Sequence, residues 1–163
     1  MTLERGGRSF RLALGENKPE RGARGGQGSG TTSTAPVVLP ANLQGLVSRL
    51  LPPGGAIRVR MVTDNGQPAY HVDTKVNGLD HEVRLATDGT VLRRESEMRH
   101  EDVPQHVAAA ANNIPGYRVN PDNPPTHFER NGQRYFQLEM IPADGGKKID
   151  VNIAPDGTVL GRE

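Results

Sequence analysis

The 163-residue chain contains no cysteine and no tryptophan. Without cysteine there are no disulfides, no thiolate nucleophiles and no cysteine-based metal sites. Aromatic residues make up 4% of the sequence and hydrophobic residues 34%, so any core must be built mainly from aliphatic side chains. No apolar run approaches the roughly 18 residues that span a bilayer. Near the N-terminus the apolar patch Phe10–Leu14 is broken by Arg11, which falls short of the roughly 7–15 apolar residues of a secretory signal. The sequence therefore predicts neither a membrane span nor a signal peptide. A net charge of +1 gives the molecule no strong attraction to nucleic acid or membrane.

Glycine (20) and proline (13) are abundant, more so than a single compact core normally carries. Residues 1–36 centre on RGARGGQGSGTTST, with Arg5, Arg8, Arg11, Lys18, Arg21 and Arg24 against Glu4, Glu16 and Glu20. That is a net of +3, which leaves −2 for residues 37–163. Too little apolar area is present in 1–36 to offset the entropy of ordering, and the segment is predicted to be a disordered tail. Arg24-Gly25-Gly26 fits an RGG-type pattern, and the alternative function it suggests is nucleic-acid association through the basic tail, with salt-sensitive binding. A single triplet without interleaved aromatics, followed by a mildly acidic remainder, argues against nucleic acid as the main partner.

Self-similarity organises the rest. Asp88-Gly89-Thr90-Val91-Leu92-Arg93-Arg94-Glu95 recurs as Asp156-Gly157-Thr158-Val159-Leu160-Gly161-Arg162-Glu163, an offset of 68. Asn65-Gly66-Gln67 with Tyr70 matches Asn131-Gly132-Gln133 with Phe136 at an offset of 66, and Leu39-Pro40 matches Val103-Pro104 at 64. Three matches in the same order indicate a duplication with short insertions in the second copy.

Both copies read alike. Leu43, Leu46, Val47, Leu50 and Leu51 follow Pro40 as one apolar helical stripe, ended by Pro52-Pro53-Gly54-Gly55. Val107, Ala108, Ala111 and Ile114 repeat the stripe after Pro104, ended by Pro115-Gly116. Strands follow: Ile57, Val59 and Met61 alternate with Arg58 and Arg60, and Asp64-Asn65-Gly66 turns. Tyr70–Val76 and Leu79–Leu85 are joined by Asn77-Gly78, a strong two-residue hairpin signal. Counting from that turn, Val76, Thr74, Val72 and Tyr70 face Leu79, His81, Val83 and Leu85 on a dry side. A last strand is expected at Thr90–Glu95.

The expected fold is α+β: two tandem copies of a helix followed by a four-stranded antiparallel meander, with the helix packed on one sheet face. The domains read as a tail (1–36), repeat one (37–99) and repeat two (100–163). The pattern resembles the PepSY-like family, which includes domains similar to β-lactamase inhibitor proteins. Leu39-Pro40, the helix closing on Pro-Gly, Tyr70-His71-Val72-Asp73 and Asp88-Gly89-Thr90-Val91-Leu92 carry the resemblance, together with Val103-Pro104, Pro115-Gly116, Tyr135-Phe136 and Asp156–Leu160 in the second copy. The resemblance implies a small exported bacterial module without catalytic residues that binds or restrains peptidases or other envelope enzymes, in the periplasm or outside the cell.

No catalytic constellation is legible. Of the five histidines, His71 and His81 fall on opposite hairpin faces, His100 and His106 do not align on one helical face, and His127 stands alone in a proline-rich loop. None joins the three or four convergent ligands of a zinc site. Asp64, Asp88 and Asp156 read as turn residues, and no calcium loop, P-loop or nucleophile elbow is present. The chain is read as a non-enzyme with no cofactor and no metal. What remains is a surface, the hydrophilic sheet faces. Arg58, Arg60, His71, Asp73, Lys75, Glu82 and Arg84 mark it in copy one, and Tyr135, Gln137 and Glu139 in copy two. Tyrosine and arginine are the types that anchor protein interfaces, and the expected partner is a protein.

Overall fold

The computed structural model describes residues 2–4, 9–11 and 37–163. It is a mixed helix-and-strand fold that divides between Leu92 and Arg93 into two compact units.

In the first unit, two short strands, β1 (Thr2–Glu4) and β2 (Ser9–Arg11), pair with each other antiparallel. β2 also meets β3 (Ile57–Asp64) in parallel, with Phe10 opposite Ile57. A strand edge such as that of β3 presents unpaired backbone N–H and C=O groups that a short extended segment can satisfy. The rest of 1–36 lies outside the described residues.

Helix α1 (Ala41–Leu50) starts after Pro40, whose carbonyl accepts from the Leu43 and Gln44 N–H groups at 2.9 and 3.2 Å. It stops where Pro52 and Pro53 withhold the N–H groups that a further turn requires. Leu43, Val47 and Leu51 are buried against Ile57, Val72, Val83 and Leu85, with Leu39 closing the cluster. β3, β4 (Gln67–Val76) and β5 (Leu79–Ala86) form an antiparallel meander. Both hairpins turn on Asn-Gly, with Asn65 and Gly66 at φ 49° and 78° and Asn77 and Gly78 at 52° and 82°. Two consecutive positive φ values define the turn whose twist suits a two-residue hairpin. The register is the expected one, with Val76 opposite Leu79, Thr74 opposite His81, Val72 opposite Val83 and Tyr70 opposite Leu85.

β6 runs Val91–Glu97. It stands next to β5 in the strand order. From Arg93 to Glu97 it pairs antiparallel with β8 (Thr126–Arg130), inside the second unit. Strand-forming residues fix that a strand exists but not its neighbour, which is a long-range choice.

The second unit continues with a 3-10 turn at His100–Asp102, α2 (Gln105–Asn112), β7 (Tyr117–Val119), β8, β9 (Gln133–Pro142), β10 (Ile149–Ile153) and β11 (Val159–Arg162). β7 and β8 pair with successive parts of β9, β7 with Met140–Pro142 and β8 with Gln133–Gln137. β8, β9, β10 and β11 follow one another in the strand order, with β7 beside β8 along β9. Pro121, Pro124 and Pro125 interrupt the strand because proline cannot donate to a ladder. Val107, Ala111 and Ile114 cover Phe136, Leu138, Met140, Val151 and Ile153.

The two Asp-Gly turns lie against the helices. At Gly89 (φ +94°) an added Cβ would stand 2.9 Å from Leu43 Cδ2 of α1, and at Gly157 (φ +90°) 2.9 Å from the His106 carbonyl oxygen of α2. In each turn the aspartate side chain accepts from the backbone N–H two residues on, Thr90 at 2.8 Å and Thr158 at 2.9 Å. Those bonds hold the Asp88 and Asp156 carboxyls below their ordinary pKa. No helix among the described residues is long and apolar enough to cross a membrane.

Candidate protein-binding surfaces

In the first unit, Val72 and Val83 point into the core, so the alternate residues of β3, β4 and β5 lie on the face away from α1. The register sets Arg58, Asp73 and Glu82 in one cross-strand row and Arg60, His71 and Arg84 in the next. Asp73 is the hub. Arg58 donates to its Oδ2 from Nε (2.8 Å) and Nη2 (2.7 Å), Arg60 Nη2 stands 3.7 Å from Oδ1, and His71 Nε2 stands 3.8 Å from Oδ1. His71 Nε2 is also 3.5 Å from Glu82 Oε2. Five of the seven residues expected on this face thus form one connected network.

The other two look elsewhere. Lys75 pairs with Asp80 at 3.0 Å, an exposed pair of small energetic value. Arg84 reaches Asp64 at 3.4 Å, and its Nε is buried without a hydrogen-bond partner. One expectation needs correction. His71 does lie on the hydrophilic face, yet it is only 6% exposed. It sits on the central strand with arginines on both neighbours, and long arginine stems cover what lies between them.

In the second unit, Phe136, Leu138 and Met140 face the core, which turns Tyr135, Gln137 and Glu139 to the opposite face. Tyr135 stacks on Phe128 of β8, with ring centroids 5.0 Å apart and planes 8° from parallel. The Arg93 guanidinium carbon lies 5.9 Å from the Phe128 ring centroid, and Arg93 is ion-paired with Glu95. Glu95, Phe128 and Tyr135 form one cross-strand row. Gln137 donates to Asn152 Oδ1 at 3.3 Å.

Glu139 accepts from Asn120 and from Lys148, the latter at 3.0 Å. Burial pushes its carboxyl upward, but these bonds and the Lys148 charge outweigh burial and hold it below the ordinary range. Its neighbour Asp150 moves the other way, raised by burial first and then by the charges of Glu139 and Glu163.

Phe128 and Arg93 were not among the sequence-derived candidates. The Asn131-Gly132 turn, with φ 51° and 76°, sets Phe128 opposite Tyr135. Counting outward from that dipeptide would have found the pair. His127 is not in a loop but on β8, stacked on Phe136 at 4.8 Å on the core side. Burial is the main cause of its lowered pKa, with Arg94 and Arg134 adding to it against Glu129. Among the described residues no group of three or more His, Asp or Glu side chains is placed to hold a metal ion.

No family model and no curated protein matches the sequence. Among solved structures, the chain is similar to a BLIP-like protein from Bacteroides fragilis NCTC 9343, at 20% identity and a TM-score of 0.57 over 78% of this chain and 87% of that one. It is also similar to a DUF2874 family protein from Bacteroides uniformis ATCC 8492, at 19% identity and 0.57 over 77% and 89%. A third likeness is to a protein from Bacteroides eggerthii DSM 20697 provisionally described as periplasmic, at 18% identity and 0.58 over 78% and 89%. At these identities the likeness establishes the fold. It matches the BLIP-like half of the sequence resemblance, while none of these three structures carries the PepSY name.

Proposed function

We propose that the chain is a non-enzymatic, extracytoplasmic protein-binding module that inhibits or regulates an enzyme through the sheet faces turned away from its helices. The observation that carries this reading is the Arg93–Phe128–Tyr135 stack on the outward face of the second unit. Aromatic and arginine side chains held in fixed positions on an open face are the usual centre of binding energy in a protein interface. In the first unit the network around Asp73 offers a complementary, charged version of the same thing. The fold shared with a BLIP-like protein supports the inhibitor class.

The reading includes a duplication, with residues 37–99 and 100–163 as two copies of one helix-plus-strands unit. Its support is the recurring octapeptide, whose Asp-Gly turn packs on α1 in one place and on α2 in the other. The test is capture from a bacterial envelope extract with the full chain, comparing wild type with the double variant Tyr135→Ala and Arg60→Ala. Loss of an anchor is expected to weaken capture by about thirtyfold or more, the equivalent of about 2 kcal/mol. A captured partner unaffected by the double variant would rule out the sheet-face mode.

A further inference from the structure

Strand β6 carries polar side chains on both of its faces. Arg93, Glu95 and Glu97 lie on the outward side with Phe128, and the alternate residues Arg94 and Ser96 lie on the core side. There the register sets Ser96 opposite His127, which is opposite Phe136, and Arg94 opposite Glu129, which is opposite Arg134. Phe136 belongs to the core, so Ser96 and His127 stand at its border, and Arg94, Glu129 and Arg134 lie one row further out. Two donors in this patch have nothing to donate to. Arg94 Nε and Ser96 Oγ are buried and meet no acceptor among the described residues. The carboxylate of the patch is engaged elsewhere, with Glu129 Oε1 3.5 Å from Arg134 Nη2. A buried donor left unsatisfied costs about 1–3 kcal/mol, and buried polar groups in native proteins are nearly always paired. Arg94 and Arg134 both act on the His127 imidazole, opposed by Glu129.

We propose that this patch binds a small inorganic oxyanion of the phosphate or sulfate type, held by Arg94, Ser96 and His127. Directly opposed residues on one sheet face have Cβ atoms about 4.5–5.5 Å apart. Residues two apart along a strand are separated by about 7 Å. A tetrahedral oxyanion seated among the three side chains can reach all of them. The Arg94 Nε–H and one terminal N–H form the fork that takes two oxygens at once. The Ser96 hydroxyl donates to a third, and the His127 ring donates from the nitrogen that carries the proton. Charge points the same way, since two guanidiniums against one carboxylate leave a positive excess. Water can accept from the same donors, but it leaves that excess unanswered. The site lies on the other side of the sheet from Phe128 and Tyr135, and it does not depend on the sheet-face reading.

The test uses the full chain and inorganic phosphate, titrated at constant ionic strength against chloride, with the His127 imidazole followed by NMR. An anion beside the ring favours its charged form, so His127 is expected to titrate at higher pH in phosphate than in chloride, with a saturable response. Arg94→Gln is expected to weaken phosphate binding by about tenfold or more, the loss of a charge-assisted bond. Arg130→Gln, which removes the β8 arginine opposite Arg93 on the outward face, is expected to leave it unchanged. Ser96→Ala deletes a donor without an acceptor, so in chloride it is expected to melt no lower than wild type. The gain in melting temperature that phosphate gives wild type is expected to shrink in this variant. No saturable response up to about 50 mM phosphate, far above a millimolar site, would overturn the proposal. Equal weakening by Arg94→Gln and Arg130→Gln would do the same, because it would mean general screening. So would a Ser96→Ala chain that melts lower in chloride, because Ser96 would then already have its partner within the protein.

Discussion

Replacing Gly157 with alanine tests the packing of turn against helix more sharply than any core deletion. Two costs add at this position. At φ +90° an L-residue is strained, at about 1–2 kcal/mol for leaving the right-handed and extended regions. The new Cβ would also sit 2.9 Å from the His106 carbonyl oxygen and 3.4 Å from its carbon. Those are backbone atoms of α2 and cannot swing aside as a side-chain tip can, so overpacking of about 1–3 kcal/mol follows. The sum is about 3 kcal/mol. For a unit of this size that corresponds to a drop in melting temperature of more than about 10 °C, read by far-UV circular dichroism with urea titration alongside. Two internal comparisons fix the interpretation. Gly89→Ala carries a similar φ strain but meets only Leu43 Cδ2 at 2.9 Å and Leu46 Cδ2 at 3.8 Å, the ends of flexible side chains, so its loss is expected to be smaller. Gly161→Ala meets nothing within 4 Å and is expected to be close to neutral. If Gly157→Ala were no worse than Gly161→Ala, the claim that the second Asp-Gly turn is pressed onto α2 would be wrong.

Other perturbations separate core from surface. Leu138→Ala, at a position 3% exposed among Phe136, Met140 and Val151, should cost about 2–5 kcal/mol, seen as a lower urea midpoint. Phe128→Ala should cost about 0.5–1.5 kcal/mol through the lost stack, yet reduce partner capture far more than Gly161→Ala does. Asp150 has a raised pKa, so the folded state holds its proton more tightly than the unfolded chain. Stability from this group is therefore lost as pH rises through the carboxylate range, and Asp150→Asn should stabilise at pH 7 and have no such effect in strong acid. His127 has a lowered pKa, so the unfolded chain takes up the proton first. Stability should decline as pH falls below about 6.5, and His127→Gln should flatten that decline in thermal melts across pH 5–8.

Local pairing was legible in the sequence where a turn announces itself. Asn77-Gly78 between alternating runs determines the β4–β5 register down to the partner of each residue. In β9 and β10 apolar residues alternate along the sequence, and Phe136, Leu138 and Met140 stand opposite Ile153, Val151 and Ile149 in one core. Three things were not legible, each for a different reason. The pairing of β6 with β8 joins residues from Arg93↔Arg130 to Glu97↔Thr126, far apart in the chain, and nothing in β6 itself encodes it. Prolines around Pro121–Pro125 suggest a loop, and that impression hid the strand that starts at Thr126 and delivers Phe128 to the candidate surface. Alternation also assigned His71 to the hydrophilic face but gave no depth, because how deep a side chain lies is a property of the assembled sheet.

The hub at Asp73 has a consequence for how a partner would be chosen. Arg58 is already anchored there by two short bonds, so much of its side-chain freedom is gone before any encounter. Immobilising such a side chain on binding would otherwise cost about 0.5–1.5 kcal/mol. A visitor gains most by accepting the guanidinium where it stands, and gains little by bringing a carboxylate that competes with Asp73 for it. Selection on this face would then reward fit to a rigid relief of charge over simple opposite polarity.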